Sequence, residues 1–241
     1  MRYAILSDIH GNLEALRAVL TDAADHSDAL LCLGDVVGYG ADPIACVELI
    51  GERAAQVVAG NHEHGVAGLL DLRWFNDYAR AAAEWTRETL SPTHRDYLAA
   101  RPLTAEVNDA TLVHASPLRP DEWDYLVTAD DGYQAFGAFA TRLCFVGHSH
   151  TPGAWSQGSS GRDYEKGGVD VTLESGRRYI VNVGSVGQPR DRDPRASYAV
   201  WDVDARRVTI RRVAYDVATA RRKIVDARLP KFLADRLAIG S

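Results

Sequence analysis

The chain has 241 residues, of which 46% are hydrophobic and 25% are charged. This composition is that of an ordinary globular protein and excludes disordered, fibrous and disulfide-rich classes. Acidic residues outnumber basic ones, giving a formal net charge of −6, so general nucleic-acid binding is not expected. The length suits a single domain, residues 1–241.

Three features of the sequence bear on the cellular compartment of the protein. No run of about 18 apolar residues lacks a charge or polar break, so we expect no membrane partner. The first residues lack the basic and then apolar pattern of a signal peptide. The three cysteines, Cys32, Cys46 and Cys144, are widely spaced among apolar residues, which is typical of buried free thiols. We therefore predict a cytoplasmic protein.

The first 65 residues repeat an apolar run, a polar cluster and an amphipathic helical stretch, a pattern typical of consecutive βαβ units. Strands are predicted at 2–7, 29–33 and 56–59. Asn12 can cap the first helix, and Asp42 followed by Pro43 can open the second.

The pattern then becomes Ala-rich, which predicts a helical insert at about 74–102 with starts at Asn76 and Ser91. Strand-like runs return at 111–114, 143–147, 169–173, 178–183, 198–203 and 208–213, and a hairpin through residues 174–176 is predicted to join two of them. The Gly- and Ser-rich segment 156–168 indicates a mobile loop, and residues 218–239 indicate a basic amphipathic helical segment.

Polar clusters follow five of the predicted strands: DIHGN at 8–12, GD at 34–35, GNHE at 60–63, HAS at 114–116 and GHSH at 147–150. Because the carboxyl ends of successive parallel strands lie at one edge of a sheet, we expect these clusters to meet. Mixed oxygen and imidazole ligands suit Mn²⁺, Fe, Co²⁺, Ni²⁺ or Zn²⁺. The candidates are too many for one ion, which predicts two metals about 3.5–4 Å apart that clamp a phosphoryl group.

The order of these motifs resembles the calcineurin-like metallophosphoesterase superfamily. The resemblance implies an α/β fold, a four-layer α/β/β/α sandwich with the small helical insert. It also implies that Asp8, His10 and His150 bind one metal, that Asn61, His114 and His148 bind the other, and that Asp35 bridges them. His62 would be the catalytic histidine, which stabilises the phosphoryl oxygens or protonates the leaving oxygen. Mn²⁺ is the first choice of metal.

One departure from the family pattern bears on the substrate. Members that carry GDxVDRG have an Asp and an Arg where this chain has Gly38 and Tyr39, so protein phosphatase activity is not expected. GDVVGYG and GSVGQPR, at 34–40 and 184–190, instead resemble the small bacterial and archaeal phosphodiesterase branch, which includes asymmetric diadenosine tetraphosphate hydrolases. We predict that Arg190 takes over phosphate binding and that Asn12 also contacts the substrate.

The resulting prediction is a phosphoesterase that hydrolyses a small phosphorylated substrate, either a phosphoester or a nucleotide-type phosphodiester or phosphoanhydride, by direct attack of a metal-bound hydroxide. The alternative is a noncatalytic scaffold on the same fold. His62 favours the enzyme, because a scaffold would be free to replace it. Two local readings stay open: Glu63 either orients His62 or is a solvated carboxylate, and residues 184–187 form either a simple turn or part of the site.

Overall fold

Two six-stranded sheets lie face to face in the computed structural model, which describes residues 1–159, 161–166 and 170–241. In spatial order, the first sheet contains β3 (Ala54–Val57), β2 (Ala29–Cys32), β1 (Arg2–Leu6), β11 (Ala196–Asp202), β12 (Arg207–Val213) and β9 (Asp170–Thr172). The second contains β4 (Thr104–Val107), β5 (Ala110–Val113), β6 (Leu143–Val146), β10 (Arg177–Asn182), β7 (Gly153–Gly158) and β8 (Gly161–Lys166).

Helices cover the outer face of each sheet. They are α1 (Leu13–His26), α2 (Pro43–Arg53), α3 (Asn61–Ala67), α4 (Asp77–Thr89), α5 (Pro92–Ala99), α6 (Ala129–Ala135), α7 (Val217–Asp226) and α8 (Lys231–Leu237). Leu16, Val47 and Leu98 of α1, α2 and α5 pack against the first sheet, and Ala135 of α6 packs against the second. Within the described part of the chain, no helix is long and apolar enough to cross a membrane.

A core shared by both sheets lies between them. Ile5 and Trp201 of the first sheet pack there with Phe145 and Val181 of the second, and each of these side chains is at most 3% exposed. With helices outside both sheets, this core gives the four layers of the predicted α/β/β/α sandwich, and the predicted fold class is confirmed.

Most predicted elements appear within one or two residues of their expected bounds. The helical insert consists of α4 and α5, capped by Asn76 and Ser91 as predicted. All three cysteines are buried and free. The predicted C-terminal helical segment is present as two helices, with Pro230 just before the second.

Two predictions about strand connections were wrong. The predicted hairpin through residues 174–176 does not form, since β9 pairs with β12 in the first sheet while β10 pairs with β6 and β7 in the second. The predicted loop at 156–168 is largely the antiparallel pair β7 and β8. Residues 160, 167 and 168 of that loop, and Val169 at the start of the predicted strand 169–173, lie outside the described residues.

Candidate functional site

The predicted polar clusters meet where the carboxyl ends of both sheets come together. β1, β2 and β3 are parallel neighbours in the first sheet, and β5, β6 and β10 are parallel neighbours in the second. The site is therefore built across the rims of two stacked sheets, rather than along the edge of a single sheet as the sequence pattern suggested.

An unusual backbone conformation marks these strand ends. Five predicted ligands have φ between +49° and +63°: Asp8, His10, Asp35, His148 and His150. Such conformations cost a non-glycine residue about 1–3 kcal/mol each and persist where the surroundings hold them in place. The fold therefore tolerates strain in order to direct these side chains to one point.

The first cluster contains Asp8, His10 and His150, all at most 2% exposed. The Nε2 atoms of His10 and His150 lie 3.2 Å apart, and Nε2 of His150 is 3.2 Å from Oδ1 of Asp8. Both histidines donate Nδ1–H to backbone carbonyls, of Val37 at 2.9 Å and of Gln188 at 2.6 Å.

That geometry has a direct consequence for the two rings. Burial lowers the pKa of both His10 and His150, so both rings are neutral at pH 7. With the proton on Nδ1, each Nε2 presents a lone pair, and no proton is available to join the two nitrogens. Two facing lone pairs beside the unpaired Oδ1 of Asp8 fit a bound cation.

The second cluster contains Asp35, His114 and His148. Nε2 of His114 lies 3.2 Å from Nδ1 of His148 and 3.2 Å from Oδ2 of Asp35, while Nδ1 of His114 donates to the Leu33 carbonyl at 2.9 Å. Asn61 contributes an Oδ1 atom that is buried without a hydrogen-bond partner, as a ligand awaiting a metal would be.

Asp35 lies between the two clusters. Its Oδ2 atom is 3.2 Å from Nε2 of His114 and 3.7 Å from Nε2 of His10, and its Oδ1 atom accepts the backbone N–H of His62 at 2.9 Å. A single carboxylate oxygen thus faces both nitrogen sets. This is the position that the predicted bridging ligand requires.

Electrostatics also favour positive charge at this point. Burial opposes protonation of His114, yet the charges of Asp35 and Asp8 raise its pKa to about 9. Burial lowers the pKa of the neighbouring His148 to about 3. The negative charges of the carboxylates therefore stabilise a cation in the site, and divalent metals would supply that positive charge.

His62 lies beside both clusters without belonging to either. A ligand atom of His62 is within 4.8 Å of those of His10 and Asp35, and its ring packs against Tyr39 and Phe75. Burial lowers the pKa of His62 to about 4. Its Nδ1 has no hydrogen-bond partner and lies against Gly38, where any side chain would collide with it.

Glu63 takes neither of the two roles left open for it. Its buried carboxylate accepts four backbone N–H groups: Oε2 from Asp35 at 2.6 Å and Gly60 at 2.7 Å, and Oε1 from Val36 at 2.8 Å and Val37 at 3.3 Å. Burial and the charge of Asp35 raise its pKa to about 7. Glu63 is thus a positioning residue that holds the Asp35 loop.

The turn at 184–187 is part of the site's scaffold rather than a simple turn. Gly187 N–H and Ser185 Oγ both donate to the Asp8 carbonyl, at 2.9 and 2.8 Å. The following residue, Gln188, accepts from His150 through its carbonyl. Residues 185–188 therefore hold both Asp8 and His150 of the first cluster in place through hydrogen bonds.

The two predicted substrate-binding residues lie in different surroundings. Asn12 caps α1 by accepting from Ala15 at 3.1 Å and donates to the Gly187 carbonyl at 2.8 Å, so both of its polar atoms bond to the protein. Arg190 is half-buried, donates to Gln188 Oε1 at 3.0 Å, and lies 5.8 Å from the ring centre of Tyr39, which itself packs on His10.

Sequence reasoning missed Gln188, Arg236 and the structural role of Glu63. Nη1 of Arg236 in α8 donates to the same Gln188 Oε1 atom at 3.0 Å, so two guanidinium groups share one acceptor. Glu63 carried a local signal, since it stands three residues after the N-cap of α3, the spacing of a capping box. Arg236 carried none, because 48 residues separate it from Gln188.

Comparisons with known proteins concern the family and the fold. A family model described as the calcineurin-like phosphoesterase superfamily domain matches residues 1–206. An uncharacterized protein of Methanocaldococcus jannaschii is 41% identical over 244 residues, which cover 98% of this chain and 97% of that protein.

Two solved structures share the fold over their whole lengths. A metallophosphoesterase from Sphaerobacter thermophilus is 43% identical with a TM-score of 0.87, covering 100% of this chain and 99% of that one. A hypothetical protein from Pyrococcus horikoshii is 20% identical with a TM-score of 0.80, covering 100% and 98%. At that identity the second likeness concerns the fold alone.

Proposed function

The chain belongs to the calcineurin-like phosphoesterase superfamily, and on that premise we propose that it is a dinuclear metal-dependent phosphoesterase. The observation that carries the proposal is the pair of neighbouring ligand sets with one oxygen of Asp35 facing both. Asp8, His10 and His150 would hold one metal, and Asn61, His114 and His148 the other. Bound divalent metals polarise a phosphoryl group and activate the attacking water. Mn²⁺ is the first metal to test.

The residues around the ligands have supporting roles. The carbonyls of Val37, Leu33 and Gln188 fix the tautomers of the three histidines whose Nε2 atoms face the site. His62 is neutral at pH 7 and close to both ligand sets, so it suits hydrogen bonding to a phosphoryl oxygen as the ester bond breaks.

Arg190 is the proposed phosphate-binding cation. Its Nε atom is buried without a hydrogen-bond partner, and its guanidinium lies beside Tyr39, which packs on His10 and His62. A planar guanidinium can hold two phosphate oxygens at once. The substrate is then a small phosphoester or a nucleotide-type phosphodiester or phosphoanhydride, a class that includes diadenosine tetraphosphate, and Asn12 stays a predicted contact.

The test is a panel of nitrophenyl phosphoesters, nucleotides and dinucleoside polyphosphates, assayed with metal-stripped protein before and after addition of Mn²⁺. We expect hydrolysis only with metal, and close to two metals per chain by elemental analysis. Asp35→Ala should abolish turnover and weaken metal binding, whereas His26→Ala, on the far end of α1, should change neither. Full metal content without turnover on any ester would favour the scaffold alternative.

A further inference from the structure

A cleft of about 520 Å³ opens directly beside the second ligand set, a volume that suits a small organic ligand. Two predicted metal ligands line it, Asn61 and His148. Four aromatic residues form much of the rest of its wall: Trp74, Phe75, Trp123 and Tyr125.

The aromatic wall is continuous with the metal site. The ring of Tyr125 stacks on His148 with centroids 4.0 Å apart, and Phe75 lies 5.0 Å from His62. Trp123 lies 6.2 Å from His114 and makes an edge contact with His64 at 5.1 Å. A group attached to a phosphoryl at the metal site can therefore reach this wall without leaving the protein surface.

Two of these aromatic residues have energetically unfavourable placements in the free protein. Trp74 is 83% exposed, although burying its ring would be favourable. Trp123 has φ of +60°, a conformation that a bulky residue rarely adopts. Neither residue belongs to a hydrophobic core cluster of the described chain, and both line the cleft.

The charge of the cleft narrows the class of ligand. Two carboxylates line it, Asp121 and Glu122, and no Lys or Arg is among its described lining residues. The guanidinium of Arg190 instead lies by Tyr39 on the side of His10. Repulsion disfavours a second phosphate in the cleft, whereas a neutral planar ring is attracted by stacking.

We propose that this cleft binds the base of a nucleoside phosphate whose phosphoryl group lies at the metal site. The inference rests on the proposed function and narrows its substrate class to nucleosidyl phosphates. The base stacks on Trp74 and Trp123, and any further phosphates extend toward Arg190.

The test compares adenosine and ribose 5′-phosphonates, in which a methylene group replaces the ester oxygen so that neither is hydrolysed. Their affinities for the Mn²⁺-loaded protein are measured by calorimetry. Stacking of one base is worth about 1–3 kcal/mol, so the adenosine compound should bind about 5- to 150-fold more tightly. Trp74→Ala should remove most of that ratio and leave the affinity of the ribose compound unchanged.

Tyr78→Ala is the matched control, because Tyr78 is also exposed but stacks on Phe232 outside the cleft. Equal affinities of the two compounds for the parent protein would overturn the inference. So would an equal loss in Tyr78→Ala and Trp74→Ala. If either of these two results is obtained but simple nitrophenyl esters are still hydrolysed, the proposed function stands and only the base site is refuted. Absence of both ester hydrolysis and phosphonate binding would overturn both.

Discussion

Replacing Glu63 with Gln tests whether its buried carboxylate holds the Asp35 loop. The substitution keeps the size of the side chain, but one oxygen becomes an NH₂ group that faces two backbone N–H donors. These are either those of Asp35 and Gly60 or those of Val36 and Val37. Each buried donor left without an acceptor costs about 1–3 kcal/mol, so two donors give an expected loss of about 2–6 kcal/mol in the free energy of unfolding.

For a chain of this length, a loss of about 3 kcal/mol corresponds to a fall in Tm of about 6–12 °C. Urea and thermal unfolding are followed by tryptophan fluorescence on metal-stripped protein, since bound metal would add its own stabilisation. Glu52→Gln is the control, because the side chain of Glu52 is 69% exposed and its Arg53 partner is also on the surface. A Glu63→Gln protein within about 0.5 kcal/mol of that control, with unchanged Mn²⁺ affinity, would refute the role assigned to Glu63.

Three further outcomes are expected. Arg190→Ala should lower kcat/KM by a factor that corresponds to about 1.5–3 kcal/mol of transition-state stabilisation, with unchanged metal content. Arg192→Ala, at an exposed residue, should leave kcat/KM unchanged. Unchanged kinetics of Arg190→Ala on every active substrate would show that Arg190 has only a structural role. His62→Ala should retain its metals by elemental analysis but lower turnover by about 10²–10⁴-fold, and loss of a metal would make His62 a ligand instead. Asp22 accepts from both Arg211 and Tyr198, which lower its pKa to about 2, so Asp22→Asn should lose about 1–2 kcal/mol of stability at pH 7. Because the folded pKa lies below the usual 3.8, that difference in urea midpoints should shrink as the pH falls from about 4 toward 2; a constant difference would contradict the assignment.

The sequence alone was enough for the fold class and for the meeting of the candidate ligands at one place. Strands and helices have periods that can be read over a few residues, and caps such as Asn12 and Asn76 act within three residues of themselves. The candidate ligands follow directly after strands, so the order of the motifs predicts that Asp8, Asp35 and His114 lie near one another, as they do in the structure.

Only the tertiary structure decided which strands pair. A turn forms at 175–176, but the strands on either side enter different sheets, so the predicted hairpin is absent. A turn signal carries no information about which strands pair. β8 was missed for a related reason, because its residues are mostly exposed and lack the alternating apolar pattern of a strand.

The surroundings of the ligands were likewise settled by contacts between distant parts of the chain. Glu63 reaches back 28 residues to Asp35, and Gln188 meets both His150 and Arg236, across 38 and 48 residues. Trp74 and Trp123 come together in one cleft although 49 positions separate them in the sequence. Local periodicity and motif order determine which side chains face the rim, whereas packing between distant segments determines what holds those side chains and what lies beside them.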